Sequence, residues 1–119
     1  MDQMSKDDRM QRIMERTREL FLKDARQRMA KLNACIGQWR GGIVPDGELI
    51  DHLYRTAHNL KGVALTVDLK ELHRRSGDLN DFIVRQGLES GRTMTPDDMK
   101  ICLQLAAELN AELERIGVV

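Results

Sequence analysis

The chain has 119 residues, 41% of them hydrophobic and 32% charged, with nineteen basic side chains against nineteen acidic ones. That length and composition fit one globular domain with a core that needs neither metal nor disulfide staples. The balanced charge argues against a dedicated nucleic-acid binder, and no apolar run approaches the ~20 residues of a membrane span.

Aromatic residues make up 3% of the chain, while methionine reaches 7 copies. The core is therefore built from Leu, Ile, Val, Ala and Met, which favours helices, because strands are enriched in aromatic and β-branched residues. Cys35 and Cys102 sit in apolar helical patterns without CxxC spacing and read as buried free thiols in a reducing compartment. The first residues, Met1 to Lys6, hold no apolar leader, so the expected setting is cytoplasmic. Residues 1–40 carry ten basic and six acidic side chains, and residues 41–119 nine and thirteen. Both balances read as solvated helix faces.

Four segments show helical periodicity. In the first, roughly 6–40, Phe21, Ala25, Met29, Leu32, Ile36 and Trp39 recur at steps of three and four. Ser5 followed by Asp8 resembles a capping box, and Gly41-Gly42 ends the helix. The stretch 6–16 reads as an N-terminal extension or a short helix of its own, since ~35 residues exceed the usual globular helix. The second segment, roughly 46–65, opens at Pro45-Asp46 and has the stripe Ile50, Leu53, Ala57, Leu60 and Ala64. The third runs roughly 69–87, with Asp68 as its expected N-cap, Glu71 at the third helical position and Gly87 closing it. Its inner face is Leu69, Leu72, Ser76, Leu79 and Ile83. The fourth runs roughly 96–116. Thr95 caps it, Pro96 takes its first position, Asp97 and Asp98 favour the helix N-terminus, and Met94 and Met99 are spaced as a staple. Met99, Cys102, Leu103, Ala106, Leu109, Leu113 and Ile116 form its buried face. Short connections imply antiparallel neighbours. The expected fold is an all-α, up-down four-helix bundle in a single domain over 1–119, with the bundle proper at 17–117.

Of the three histidines, none has a glutamate three residues earlier, and no HExxH or Cys/His cluster occurs, so no metal is expected. No phosphate-binding glycine loop is present, which argues against a nucleotide-binding enzyme. His52 and His73 read as ordinary surface histidines. His58 stands apart. At 100° per residue the core stripe of its helix is centred about 120° away, so His58 points to solvent. Lys61 lies one turn on, within about 60°, and Gly62 within about 40°. Tyr54 and Leu65 extend the same face. Imidazole, with an unperturbed pKa of about 6.5, is a nucleophile near pH 7 and can hold a phosphoryl group as a phosphoramidate. An ammonium one turn away offsets the charge of that group. A mid-helix glycine costs about 1 kcal/mol relative to alanine, a cost that makes sense if a partner must approach His58 closely.

The stretch His58-Asn59-Leu60-Lys61-Gly62-Val63-Ala64 resembles the signature of histidine-containing phosphotransfer (Hpt) domains, His-x-Leu-Lys-Gly-small-Ala. Leu53-Tyr54-Arg55-Thr56-Ala57 resembles the lead-in to that histidine, and Leu20-Phe21-Leu22-Lys23-Asp24-Ala25 the family's opening helix. Gly91-Arg92-Thr93-Met94-Thr95-Pro96 is similar to a loop of the chemotaxis-type kinase branch. The resemblance covers about residues 17–117. It implies a phosphorelay intermediate that accepts a phosphoryl group on His58, through Nε2, from a histidine kinase or a receiver-domain aspartate, and passes it to a receiver aspartate. Lys61 would support the group electrostatically and Gly62 give clearance, with Tyr54, Asn59 and Leu65 on the docking face. No cofactor is implied, since Mg²⁺ and the acidic pocket belong to the partner. No kinase or ATP-binding sequence accompanies the histidine.

Four positions depart from the family pattern. Asp68 stands where a glycine is usual, ten residues after the histidine, and Leu65 where a small residue is usual. Gly77 and Asn80 stand where chemotaxis-type members often carry His and Glu. Asn80 could accept the Nδ1–H of His58 through its amide oxygen, or Asp81 could substitute. The alternative function is a docking module of the same fold that binds a receiver or kinase without carrying phosphate.

Overall fold

Helix ends dictate the layout of this chain. The computed structural model describes residues 5–89 and 93–117. It consists of α1 (Lys6–Arg40), α2 (Asp46–Thr66), α3 (Lys70–Ile83), a π-helical turn (Val84–Glu89) and α4 (Pro96–Gly117). At the start of α1 the Ser5 hydroxyl accepts from the Asp8 backbone N–H at 3.1 Å, as the capping pattern predicts. The helix then continues unbroken for 35 residues. A separate short helix over 6–16 does not form, because no Gly or Pro interrupts the chain between Lys6 and Ile36. Local contacts carry the helix across, including Gln11 Nε2 to Glu15 at 3.3 Å and the Thr17 hydroxyl to the Ile13 carbonyl at 2.8 Å.

Two helices end in the same six-residue closure. After α1, the Gly42 N–H reaches the Trp39 carbonyl and the Ile43 N–H the Gln38 carbonyl, with Gly42 at φ +77°. After α2, the Asp68 N–H reaches the Leu65 carbonyl at 3.1 Å and the Leu69 N–H the Ala64 carbonyl at 2.9 Å. Asp68 then sits at φ +58°, the left-handed residue of a Schellman motif. The expected N-cap role of Asp68 is thereby corrected. A residue holding the left-handed turn of α2 lies one position too early to cap α3, and Leu69 takes the N-cap place. Glu71 pairs instead with Arg74, which holds its carboxyl below the usual range.

Gly87 does not close the third helix either. Helical backbone passes through it as the π-turn, and a Cβ there would meet Met94 Sδ at 3.6 Å. The glycine serves a close approach rather than a stop. The α4 start matches expectation. The Thr95 hydroxyl accepts from the Asp98 N–H at 3.1 Å while the Asp98 carboxylate accepts from the Thr95 N–H at 2.9 Å.

The stripes meet in one core of Phe21, Ala25, Met29, Leu32, Leu53, Leu60, Leu72, Leu79, Leu109 and Leu113 with their buried neighbours. α2 packs on α1 and α3, α3 on α4, and α4 on α1. The Trp39 indole N–H donates to Asp46 at 2.7 Å, tying the end of α1 to the start of α2. Arg18 donates to the Val67 carbonyl at 3.1 Å and satisfies an orphan acceptor at the far end of α2. Cys35 and Cys102 are buried free thiols, as expected. Burial, with the Asp98 carboxylate nearby, pushes the Cys102 thiol up to about 11. Among the described residues no helix is long and apolar enough to cross a membrane.

Candidate functional site

α2 buries Leu53, Ala57, Leu60 and Ala64 and so turns its opposite side outward. His58 lies on that side and is exposed. Its ring stacks on Tyr54 one turn earlier, with centroids 5.6 Å apart and planes at 21°. The stack restrains the imidazole without covering it. Among the described residues no hydrogen bond engages either ring nitrogen. Beside it runs an open groove of about 390 Å³ between α2 and α3. Tyr54, His58, Lys61, Gly62 and Leu65 line one wall, and His73 and Asn80 the other.

Gly62 faces open space: a Cβ there would meet nothing within 4 Å. The fold therefore makes no demand for glycine at this point. Gly77 is the reverse case, buried on α3, where a Cβ would touch Lys61 Cε at 3.8 Å and Cδ at 3.9 Å. The aliphatic stem of Lys61 lies across that bare backbone, and its ammonium ends 3.6 Å from Asp81. Both partners of this pair are well exposed, so it contributes at most about 1 kcal/mol and exchanges readily. Asp81 thus holds Lys61 only loosely.

Asn80 is 8% exposed, and its side-chain oxygen has no hydrogen-bond partner among the described residues. A buried acceptor left without a donor is costly, on the order of 1–3 kcal/mol, and this one lies in the wall facing His58. Leu65 is 57% exposed at the end of the groove. Asn59, expected on the docking face, is half-buried and lies outside the groove lining, its side-chain oxygen also unpartnered.

His73 is not an ordinary surface histidine. It is half-buried, lines the groove, and its Nδ1 lies 2.9 Å from the Lys61 carbonyl. A carbonyl only accepts, so Nδ1 carries the proton. The signal was present in α3: His73, Gly77 and Asn80 recur at steps of four and three, a second stripe beside Leu72, Ser76, Leu79 and Ile83. His52 lies apart, among charged residues between α1 and α2. Gly91 and Arg92 of the resembling loop lie outside the described residues.

A comparison with protein-family models matches residues 16–117 to the Hpt domain. The chain belongs to the Hpt domain family. Hpt domains are histidine-phosphotransfer modules of two-component phosphorelays, without a kinase or ATP-binding domain of their own, and interact with kinases and receiver domains. No curated protein and no solved structure matches the chain. Within an Hpt domain the left-handed backbone at Asp68 explains why glycine is usual at this place, since glycine adopts that conformation without steric cost.

Proposed function

We propose that this Hpt domain, folded as one antiparallel up-down bundle over residues 17–117, is a phosphorelay intermediate whose phosphoryl acceptor is His58. Its Nε2 lone pair attacks the phosphorus of a receiver aspartyl phosphate or a kinase-bound donor. The P–N bond forms as the P–O bond to the leaving group breaks, and the carboxylate or nucleotide departs with that electron pair. The second step reverses this onto a receiver aspartate. The observation that carries the reading is an exposed imidazole beside Lys61 and the open backbone of Gly62, in a chain of this family.

Each neighbour has a role in the proposal. Lys61, released from Asp81, neutralises the phosphoryl oxygens. Asn80 takes the Nδ1–H of His58 on its unpartnered oxygen, leaving Nε2 as the nucleophile. Gly62 gives clearance, and Tyr54, Leu65 and Asn59 contribute to docking. The receiver or kinase supplies the Mg²⁺. Two free buried thiols support a reducing, cytoplasmic setting.

Incubation with a phosphorylated receiver domain tests the proposal. Acid-labile label should appear on the chain and vanish in His58→Gln. Label that persists in His58→Gln would overturn the assignment. Binding that survives in both proteins with no label in either would establish the docking module instead.

A further inference from the structure

We propose that His73 is a positioning residue of the phosphotransfer site and acts through Lys61. His73 lies outside the histidine motif, and its role rests on His58 being the phosphoryl acceptor.

Lys61 meets α3 at three levels. Its carbonyl accepts from His73 Nδ1–H at 2.9 Å. Its stem lies over Gly77, where a Cβ would meet Cε at 3.8 Å. Its ammonium ends 3.6 Å from Asp81. His73, Gly77 and Asp81 are spaced by four and share one face of α3. Successive turns of one helix therefore meet one lysine at its backbone, its stem and its head.

These contacts are not equivalent. The head pair is exposed and exchanges readily. Gly77 offers bare backbone, along which a stem can slide. The His73 bond is half-buried and ends on main chain inside α2. Helical geometry already gives the Lys61 carbonyl the Leu65 N–H, so α2 does not need His73 to satisfy that acceptor. The imidazole takes the second lone pair and fixes where the Lys61 backbone stands against α3. From there the side chain leans toward the N-terminus of α2, as helical side chains do, and so toward the turn of His58. A lysine stem loses much rotamer freedom when it is ordered. Anchored at its backbone and laid over Gly77, Lys61 holds its ammonium within reach before the phosphoryl group arrives. A tie that merely stapled α3 to α2 would serve the fold whatever side chain stood at 61, and that difference can be measured.

Phosphoramidate, a small donor that needs no docking partner, is the probe. The bond from His58 Nε2 to phosphorus forms as the donor's own P–N bond breaks, and ammonia leaves with that electron pair. Labelling of the full chain is followed by phosphorus NMR and mapped to His58 by tandem mass spectrometry. His73→Phe keeps a ring but loses the donor. It should slow labelling roughly three- to tenfold, within the range of coupling between contacting side chains. His73→Asn, whose amide can donate from the place of Nδ1, should restore most of the rate. In a Lys61→Ala background, His73→Phe should change nothing further. In the native chain, ¹³C relaxation should find the Lys61 stem more ordered than that of the exposed Lys100. A labelled native chain with His73→Phe equally fast would overturn the proposal alone. So would slowing that persists in Lys61→Ala or is not rescued by His73→Asn, or a Lys61 stem as free as that of Lys100. A native chain that takes no label at His58 would overturn the acceptor assignment itself, and the role of His73 with it.

Discussion

Gly62 separates what the fold needs from what the partner needs. It sits inside α2, and a Cβ there meets nothing within 4 Å. Gly62→Ala therefore adds no clash and removes the backbone-entropy penalty of an interior helical glycine, about 1 kcal/mol. The variant should be more stable than the native chain by about that amount, a rise in melting temperature of roughly 3–6 °C for a domain of this size. Urea titration gives the same quantity as a shift in midpoint at constant slope. Phosphoryl transfer from a receiver should move the opposite way: slower in Gly62→Ala, and blocked at the docking step in Gly62→Trp, whose indole would stand on the face beside His58. A destabilised alanine variant would show that the glycine has a structural task that the open surroundings do not reveal. Native transfer in Gly62→Trp would place the docking face elsewhere.

The turn at Asp68 has its own signature. Asp68→Gly should stabilise by about 0.5–1 kcal/mol by relieving the left-handed backbone, and Asp68→Val should destabilise by at least about 1 kcal/mol; equal urea midpoints would contradict this. Lys61→Ala should slow transfer while leaving the fold intact, because only its stem packs, on Gly77. Asp81→Asn, which frees the ammonium, should transfer at least as fast as the native chain, and a slower variant would mean that the Lys61–Asp81 pair itself positions the site. The Cys102 thiol ionises near 9.0 when exposed and at about 11 when folded. The folded state thus holds a proton that the unfolded chain has lost between those values, and stability should fall as pH rises from about 9 to 11. Cys102→Ala should flatten that loss, seen in urea midpoints at pH 8 and pH 10.5.

Much of this was legible in the residues because helical periodicity and caps are local. The Phe21-to-Ile36 stripe, the Ser5 and Thr95 caps and the outward direction of His58 depend on neighbours three and four positions away. The misreadings have a common cause. Asp68 satisfies the composition rule for an N-cap, yet aspartate also tolerates the left-handed conformation, and the two hydrogen bonds that close α2 settle which role wins. Gly87 looks like a stop, but the approach of Met94 lies outside any local pattern. His73 and Gly77 belong to the groove only because α3 packs against α2 in one register, a tertiary fact. The 6–16 segment was ambiguous for the converse reason: its helix has no tertiary partner to announce it.

In the proposed relay one nitrogen of one histidine carries the phosphoryl group. Phosphorylating the full chain from a receiver aspartyl phosphate and locating the P–N bond by nitrogen–phosphorus coupling in a ¹⁵N-histidine sample tests it directly. A single phosphoramidate on His58 Nε2 is the expected result. A bond to His73 or His52, or to His58 Nδ1, would contradict the account.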